Sequence, residues 1–198
     1  MIMQYKYRFD HETITNIVKP NSKVLDLGCC TGELLSQLAR RKKASVEGIE
    51  IDDTAIQKCI EKGLSVIHRD IDKGLAEYSD QSFDYVILNQ SMQQVKRADR
   101  IIDEALRVGK KAIIGFPNFA HYPSRLQIFF WGRTPVTPAL PYKWFDTPNL
   151  HFLSISDFWH YAKEKKLNIL ETHYLGEDQE IRFLPNLFAK EAIFVLEK

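Results

Sequence analysis

This 198-residue sequence has no large excess of positive or negative charge. Lysine and arginine total 27, aspartate and glutamate total 26, and the formal net charge is +1. Such a chain has no general attraction for polyanions, so we expect neither nucleic acid nor a membrane surface as a partner. No apolar run approaches the roughly 20 residues that cross a bilayer. The first eight residues, MIMQYKYR, lack the apolar core of a signal peptide, and we therefore expect a cytoplasmic protein.

Cysteine is also sparse, with Cys29, Cys30 and Cys59 as the three examples. The absence of a Cys-x-x-Cys pair disfavours a zinc site, and adjacent cysteines are too strained for an ordinary disulfide. Cys30 has two interpretations. It could be a reactive thiol, since thiols near helix N-termini ionise easily, or a small apolar residue in a turn. We favour the second interpretation because it requires nothing beyond the local fold.

The pattern Gly-x-Gly-x-x-Gly, which brings a dinucleotide pyrophosphate to a helix N-terminus, does not occur. In its place stands VLDLGCCTG at residues 24–32, followed by leucines at helical spacing. The apolar run predicts a buried strand, and Gly28 and Gly32 predict a sharp turn into a helix. Asp26 at the strand end would repel a pyrophosphate. The stretch therefore favours S-adenosylmethionine over NAD, the alternative being a turn that serves packing alone.

Polar residues follow the next predicted strands in the same way. Glu50 ends the strand 46–50, about twenty residues past the glycines, where a carboxylate accepts from ribose hydroxyls. It could instead cap the next helix, although Asp52 or Asp53 can do so equally well. Asp70 follows the strand 64–68 and suits a ligand or a helix cap equally. Asn89 follows the strand 83–88.

Four successive strand–helix units predict an α/β fold with a parallel sheet covered by helices on both faces. Right-handed crossovers then bring Asp26, Glu50, Asp70 and Asn89 to one edge of the sheet. Further elements are predicted as helices 8–19, 98–108 and 154–166, a strand at 111–116, and an antiparallel hairpin of strands 167–175 and 191–197 at the sheet edge. We expect a single domain over residues 1–198 with an insert at about 117–153.

The insert is proline-rich and aromatic: Pro117 to His151 contains six of the eight prolines. A short amphipathic helix is predicted at 125–131. Long irregular segments at a ligand edge are usually lids or binding surfaces, with a packed structural loop as the alternative. A binding surface would expose Trp131, Tyr142, Trp144 and Phe145, whereas a lid would fold them over the pocket. His121, Asp146 and His151 suit a general base, a metal pair or hydrogen bonding within the loop, and we favour the last.

With these residues identified, the chain resembles the class I S-adenosylmethionine-dependent methyltransferases over about residues 20–116. The resemblance is carried by VLDLG at 24–28, Glu50, Asp70 and FDYV at 83–86. It implies a three-layer Rossmann-like fold, with a seven-stranded, mostly parallel sheet and an antiparallel last strand. Many members carry glycine where this chain has Cys30, and the added side chain would narrow the pocket.

The resemblance also implies roles around S-adenosylmethionine or S-adenosylhomocysteine. The Gly28–Gly32 turn would pass the methionine part, Glu50 would hold the ribose, Ile51 would pack on adenine, and Asp70 with Ile71 would meet the adenine amino group. Asn89 would lie near the methionine end. The cofactor-binding residues that we predict are Asp26, Gly28, Cys30, Gly32, Glu50, Ile51, Asp70, Ile71 and Asn89.

More narrowly, the chain resembles the MetW family of methionine biosynthesis. The motifs are FPNF at 116–119, GRTPVT at 132–137, LPYKW at 140–144 and DTPNLH at 146–151. This resemblance implies a partnership with homoserine O-acyltransferase, which the chain would activate or regulate. The alternative is an S-adenosylmethionine-dependent methyltransferase acting on a small molecule. NQSM at 89–92 is not the Asn/Asp-Pro-Pro-aromatic motif of amino-group methyltransferases, and fold alone does not settle function.

Overall fold

The structure is a computed structural model that describes residues 8–198. The strands within this range are β1 Lys23–Leu27, β2 Ser45–Glu50, β3 Ser65–His68, β4 Phe83–Asn89, β5 Gly109–Pro117, β6 Asn168–Leu175 and β7 Glu191–Glu197. The helices are α1 Phe9–Ile17, α2 Glu33–Lys42, α3 Asp53–Glu61, α4 Ala98–Val108, α5 Tyr122–Trp131, α6 Ile155–Glu164 and α7 Pro185–Phe188. Among the described residues, no helix has the length and apolarity needed to cross a membrane.

The seven strands form one sheet in the order β3-β2-β1-β4-β5-β7-β6. Strands β1 to β5 pair in parallel, and β7 runs antiparallel to both of its neighbours, β5 and β6. The predicted fold class, a mostly parallel seven-stranded sheet with an antiparallel last strand, is confirmed.

The predicted antiparallel pair of strands at the sheet edge is confirmed. Strand β6 is the outermost strand at this edge, and β7 lies between β6 and β5. The reason lies in composition. Residues 192–196 of β7 are all apolar and buried, so this strand needs a neighbour on each side, whereas β6 is largely half-exposed.

Side chains alternate along the strands and divide the core into two layers. Val24, Tyr85 and Ile87 pack with Ile14 of α1 and Leu38 of α2 on one face. On the other face, a larger cluster includes Leu25, Val86, Leu88, Ile102 of α4 and Phe158 of α6. Helices therefore cover both faces, as predicted, and the carboxyl ends of β1 to β4 are left open along one edge.

Candidate ligand-binding site

A cavity of about 560 Å³ opens at the carboxyl ends of β1, β2 and β4, next to the loop after β3. Its wall contains seven of the nine predicted cofactor-binding residues, namely Gly28, Cys30, Glu50, Ile51, Asp70, Ile71 and Asn89. Asp26 and Gly32 do not belong to this wall. The convergence expected from right-handed crossovers is therefore present for three of the four polar strand-end residues.

The turn after β1 depends on three residues with positive φ. Gly28, Cys30 and Gly32 have φ values of 80°, 49° and 73°. A Cβ on Gly28 would lie 2.8 Å from the Ser91 Cβ, so glycine keeps the turn close to the loop after β4. Cys30 occupies the left-handed region with a side chain, which costs about 1–2 kcal/mol, and it is exposed on the cavity wall.

Glu50 organises the backbone of this turn as well as facing the cavity. Its Oε2 accepts from the Cys30 N–H at 2.8 Å, and its Oε1 accepts from the N–H groups of Ile51 at 2.7 Å and Asp52 at 3.0 Å. The capping of α3 falls to Asp52, whose Oδ1 accepts from the Ala55 N–H. Glu50 therefore has a structural role that sequence reasoning did not identify, and one lone-pair direction of its carboxylate remains for a hydroxyl donor.

Asp26 and Gly32 are buried or packed and do not line the cavity. Asp26 is 3% exposed, and burial, followed by the nearby charge of Glu50, raises the pKa of its carboxyl group to about 7. Gly32 is required for packing, because a Cβ there would lie 2.5 Å from Leu64 Cδ1 and 2.9 Å from Cys59 Sγ. The structure therefore gives Gly32 a packing role, which was the alternative interpretation of the turn.

The loop after β3 confirms the capping interpretation of Asp70 and leaves the residue on the cavity wall. Its Oδ1 accepts from the Asp72 N–H at 2.9 Å and caps a 3-10 turn at Ile71–Lys73, while the residue also lines the cavity. Ile51 is 59% exposed on the cavity wall, and Ile71 lies half-buried against the core. The two isoleucines give this end of the cavity an apolar character that suits a flat base.

Two buried polar atoms near the cavity have no hydrogen-bond partner within residues 8–198: Asn89 Oδ1 and Ser91 Oγ. The other atom of the Asn89 amide, Nδ2, donates to Asp10 Oδ2 at 2.8 Å. Buried polar atoms without partners are rare in folded proteins and often mark a ligand position. With carboxylates at Glu50 and Asp70 and a close-approach glycine at Gly28, the donor and acceptor set fits S-adenosylmethionine or S-adenosylhomocysteine.

A second cavity, of about 460 Å³, adjoins the first, and Arg8, Gln90 and Gln94 line both. It lies between the start of α1, the ends of β5, β6 and β7, and the 138–149 segment of the insert. Sequence reasoning missed two of its acids, the buried Asp10 and the half-buried Glu191. Because β7 is antiparallel, its first residue reaches the edge where the parallel strands end, and only the strand direction could have revealed this.

The insert exposes its aromatic residues. Helix α5 begins at Tyr122, three residues before the prediction, and Ser124 is its one buried residue. The amphipathic pattern predicted there buries no apolar face. Phe129 is 81% exposed and Trp144 is 74% exposed. Trp131, Tyr142 and Phe145, the other aromatics that a binding surface should present, are exposed as well.

The three insert residues considered for catalysis or metal binding take separate positions. His121 is buried at the start of α5, and burial lowers the pKa of its imidazole. His151 bonds the Val95 carbonyl oxygen at 2.9 Å, and Asp146 is exposed. No group of three His, Cys, Asp or Glu side chains within residues 8–198 is placed to hold a metal ion.

The fold defines the class of protein. A crystal structure of an S-adenosylmethionine-dependent methyltransferase from Archaeoglobus fulgidus superposes with a TM-score of 0.67 over 95% of this chain and 94% of that chain, at 15% identity. The chain therefore has the class I methyltransferase fold. The family model described as "Methionine biosynthesis protein MetW" matches residues 8–196, and the chain belongs to this family.

Two curated relatives extend this result. A bifunctional methionine biosynthesis protein MetXA/MetW of Rhodopirellula baltica is 34% identical over 96% of this chain, and the chain spans about a third of its length, 32%. A ubiquinone biosynthesis O-methyltransferase of Hahella chejuensis is 25% identical over 83% of this chain and 75% of that protein.

Proposed function

We propose that this chain binds S-adenosylmethionine or S-adenosylhomocysteine and that it partners homoserine O-acyltransferase, whose activity it stimulates or regulates. The observation that carries the partnership is the exposure of the insert aromatics, with Trp144 74% exposed. Aromatic residues dominate the energetics of protein interfaces, and a surface that exposes several of them marks an interaction site.

Hydrogen bonds tie the insert to itself and to the loop after β4, which favours a docking surface over a hinged lid. The side-chain amide of Gln127 in α5 pairs with both the N–H and the C=O of Val136, each at 3.0 Å. The N–H groups of Leu150 and His151 both donate to the Gln93 carbonyl oxygen, at 2.8 and 3.0 Å. With proline restricting the backbone in addition, little ordering entropy is lost on association.

The identity of the partner rests on family and on gene fusion. The R. baltica relative carries MetXA and MetW in one chain, and the part this chain matches is about a third of it. Two functions joined in one polypeptide in one organism suggest that the separate proteins meet in another. The MetXA part of that name points to homoserine O-acyltransferase as the partner.

Two measurements test this proposal separately. Isothermal calorimetry with S-adenosylmethionine and S-adenosylhomocysteine should give a saturable signal, and no heat at millimolar concentration of either would reject the cofactor. A pull-down with homoserine O-acyltransferase, followed by calorimetry of the pair, should give a complex that the full chain forms without added ligand. Absence of a complex with and without cofactor would reject the partner.

One observation favours a second candidate function, a small-molecule methyltransferase. The 460 Å³ cavity adjoins the proposed cofactor cavity and has the size of a small-molecule site. In this alternative it would hold a methyl acceptor. Incubation with S-adenosylmethionine carrying a labelled methyl group and a metabolite extract should then transfer label to a small molecule, whereas the acyltransferase-partner function predicts no transfer.

A further inference from the structure

The second cavity, like the first, has charges of both signs in its wall. Its cations are Arg8 and Lys190, and its carboxylates are Asp10, Glu177 and Glu191. Since the carboxylates outnumber the cations, the wall disfavours a phosphate or another anionic ligand. The mixture of signs suits a molecule that itself carries both.

The carboxylates of Asp10, which is buried, and Glu191, which is half-buried, have unequal partners. Asp10 is paired with Arg8, with Nε–Oδ1 at 3.1 Å and Nη2–Oδ2 at 2.5 Å. Its Oδ2 also accepts a hydrogen bond from Asn89 Nδ2. Within residues 8–198, Glu191 forms no ion pair. Lys190, its neighbour in sequence, is paired with Glu177. Burial, followed by the charge of Asp10, raises the pKa of the Glu191 carboxyl group to about 7, against the opposing effects of Arg8, Lys190 and a hydrogen bond with Gln90.

A cationic group placed between Asp10 and Glu191 would relieve their mutual repulsion. Arg8, on the same wall, can then receive an anionic group in addition to Asp10, because a guanidinium carries five N–H donors. The neighbouring Gln93 is 3% exposed, and its Oε1 has no hydrogen-bond partner within residues 8–198. This buried acceptor, on a residue that lines the same cavity, is a second, independent sign of a missing donor.

The remainder of the wall combines polar side chains, such as Gln90 and Asn149, with apolar residues, namely Phe9, Pro117, Pro138, Ala139, Pro141 and Leu175. An ammonium group, a carboxylate and a small apolar or polar side chain together describe one class of molecule. We propose that the second cavity binds a free α-amino acid, with the ammonium group between Asp10 and Glu191 and the carboxylate toward Arg8. This site does not depend on methyl transfer or on acyltransferase docking.

The test is calorimetry with L-methionine and L-homoserine, amino acids chosen because the family belongs to methionine biosynthesis. Each is titrated alone and with saturating S-adenosylhomocysteine, because the cofactor itself has an amino-acid end. Binding of at least one of them should persist when S-adenosylhomocysteine is present. Deamino methionine, which lacks the ammonium group, should not bind. Binding that S-adenosylhomocysteine abolishes would place the amino acid in the first cavity and overturn the proposal.

The Glu191→Gln variant removes the charge at nearly constant shape, with Glu61→Gln on the exposed end of α3 as the matched control. Because Glu191 ionises around pH 7, wild-type affinity should rise about tenfold between about pH 6 and about pH 8. Glu191→Gln should lower the affinity at about pH 8 by about tenfold or more and abolish the pH dependence, whereas Glu61→Gln should change neither.

Several outcomes would overturn the proposal. They are no binding of either amino acid at millimolar concentration, equal binding of deamino methionine, and an affinity that Glu191→Gln leaves unchanged. If thermal unfolding shows that Glu191→Gln is not folded, the wild-type pH profile and the deamino analogue decide the question without it.

Discussion

The carboxyl edge of the sheet buries charged groups that proteins usually expose, whereas the insert at 117–153 exposes aromatic groups that proteins usually bury. At the strand edge, carboxyl groups are buried: Asp26 lies inside the protein and Glu50 is nearly covered. In the insert, large aromatic side chains such as Phe129 and Trp144 stand in solvent. Both arrangements cost stability in the isolated chain, and the proposed cofactor and the proposed protein partner would each offset one of these costs.

The difference indicates the size of the ligand at each place. The strand edge is concave, and its polar groups are fixed by backbone hydrogen bonds such as those from Cys30, Ile51 and Asp52 to Glu50. That preorganisation suits a small molecule with few polar atoms. Helix α5 of the insert presents exposed rings, such as Phe129 at 81% and Phe130 at 66%, which suits a macromolecule. Four substitutions test this contrast.

The largest effect is expected from Asp26→Asn at the strand edge. The folded-state pKa of Asp26, about 7, lies above the ordinary value of 3.8. The folded state therefore holds a proton that the unfolded state has lost, and wild-type stability falls as pH rises from about 4 to about 7. At about pH 8, Asp26→Asn should raise the free energy of unfolding by about 3 kcal/mol.

Below about pH 4 the gain should vanish, because the aspartate is then protonated in both states. Chemical denaturation across this pH range measures the difference. Two other groups also make the stability depend on pH: the pKa of Glu191 is raised to about 7, as for Asp26, whereas burial lowers the pKa of His11 to about 4. Both groups are present in the wild type and in the variant, so they do not contribute to the difference. A variant less stable than wild type at about pH 8 would show that the ionised carboxylate is needed for the turn.

The second substitution, Glu50→Ala, should affect both ligand and fold. Loss of the carboxylate should weaken S-adenosylmethionine binding by about 1.5–3 kcal/mol. Because three backbone N–H groups lose their acceptor, the free energy of unfolding should also fall, by about 2 kcal/mol. Calorimetry and denaturation measure the two effects, with Glu61→Ala as control. Unchanged stability would mean that water replaces the carboxylate at no cost.

The third substitution, Trp144→Ala, concerns the insert alone. It should weaken acyltransferase binding by about 2 kcal/mol or more, the size of an interface hot spot. Affinity for S-adenosylmethionine should barely change, because Trp144 does not line the first cavity. Ile60→Ala, an exposed apolar residue on α3, is the matched control. Lost cofactor binding with an intact complex would identify the insert as a lid and favour the methyltransferase function.

The smallest effect is expected from Cys30→Gly. Glycine adopts a φ of 49° without strain and removes a side chain from the cavity wall. Cofactor affinity should rise by up to about 1 kcal/mol. The free energy of unfolding should change little, because the relief of backbone strain is offset by the greater conformational entropy of glycine in the unfolded chain. Cys30→Ala keeps the Cβ and should give a smaller gain in calorimetric affinity. Weaker binding by the glycine variant would show that the thiol contacts the ligand.

Sequence patterns predicted what is local and periodic. Apolar runs ending in Glu50 and Asn89 identified the parallel strands, and their shared direction brought the polar ends into one cavity. Non-local facts were out of reach. The place of β7 between β5 and β6, which delivers Glu191, depends on pairings across the sheet. The packing role of Gly32 depends on Leu64 and Cys59 on other elements.

The most direct test of the account is the acylation rate of homoserine O-acyltransferase measured while this chain is titrated in. The account predicts a saturable change in rate, with a half-maximal concentration that Trp144→Ala raises about thirtyfold, the equivalent of 2 kcal/mol. Ile60→Ala should follow the wild-type curve. A rate that stays constant at every concentration of the wild-type chain, with and without S-adenosylmethionine, would contradict the account.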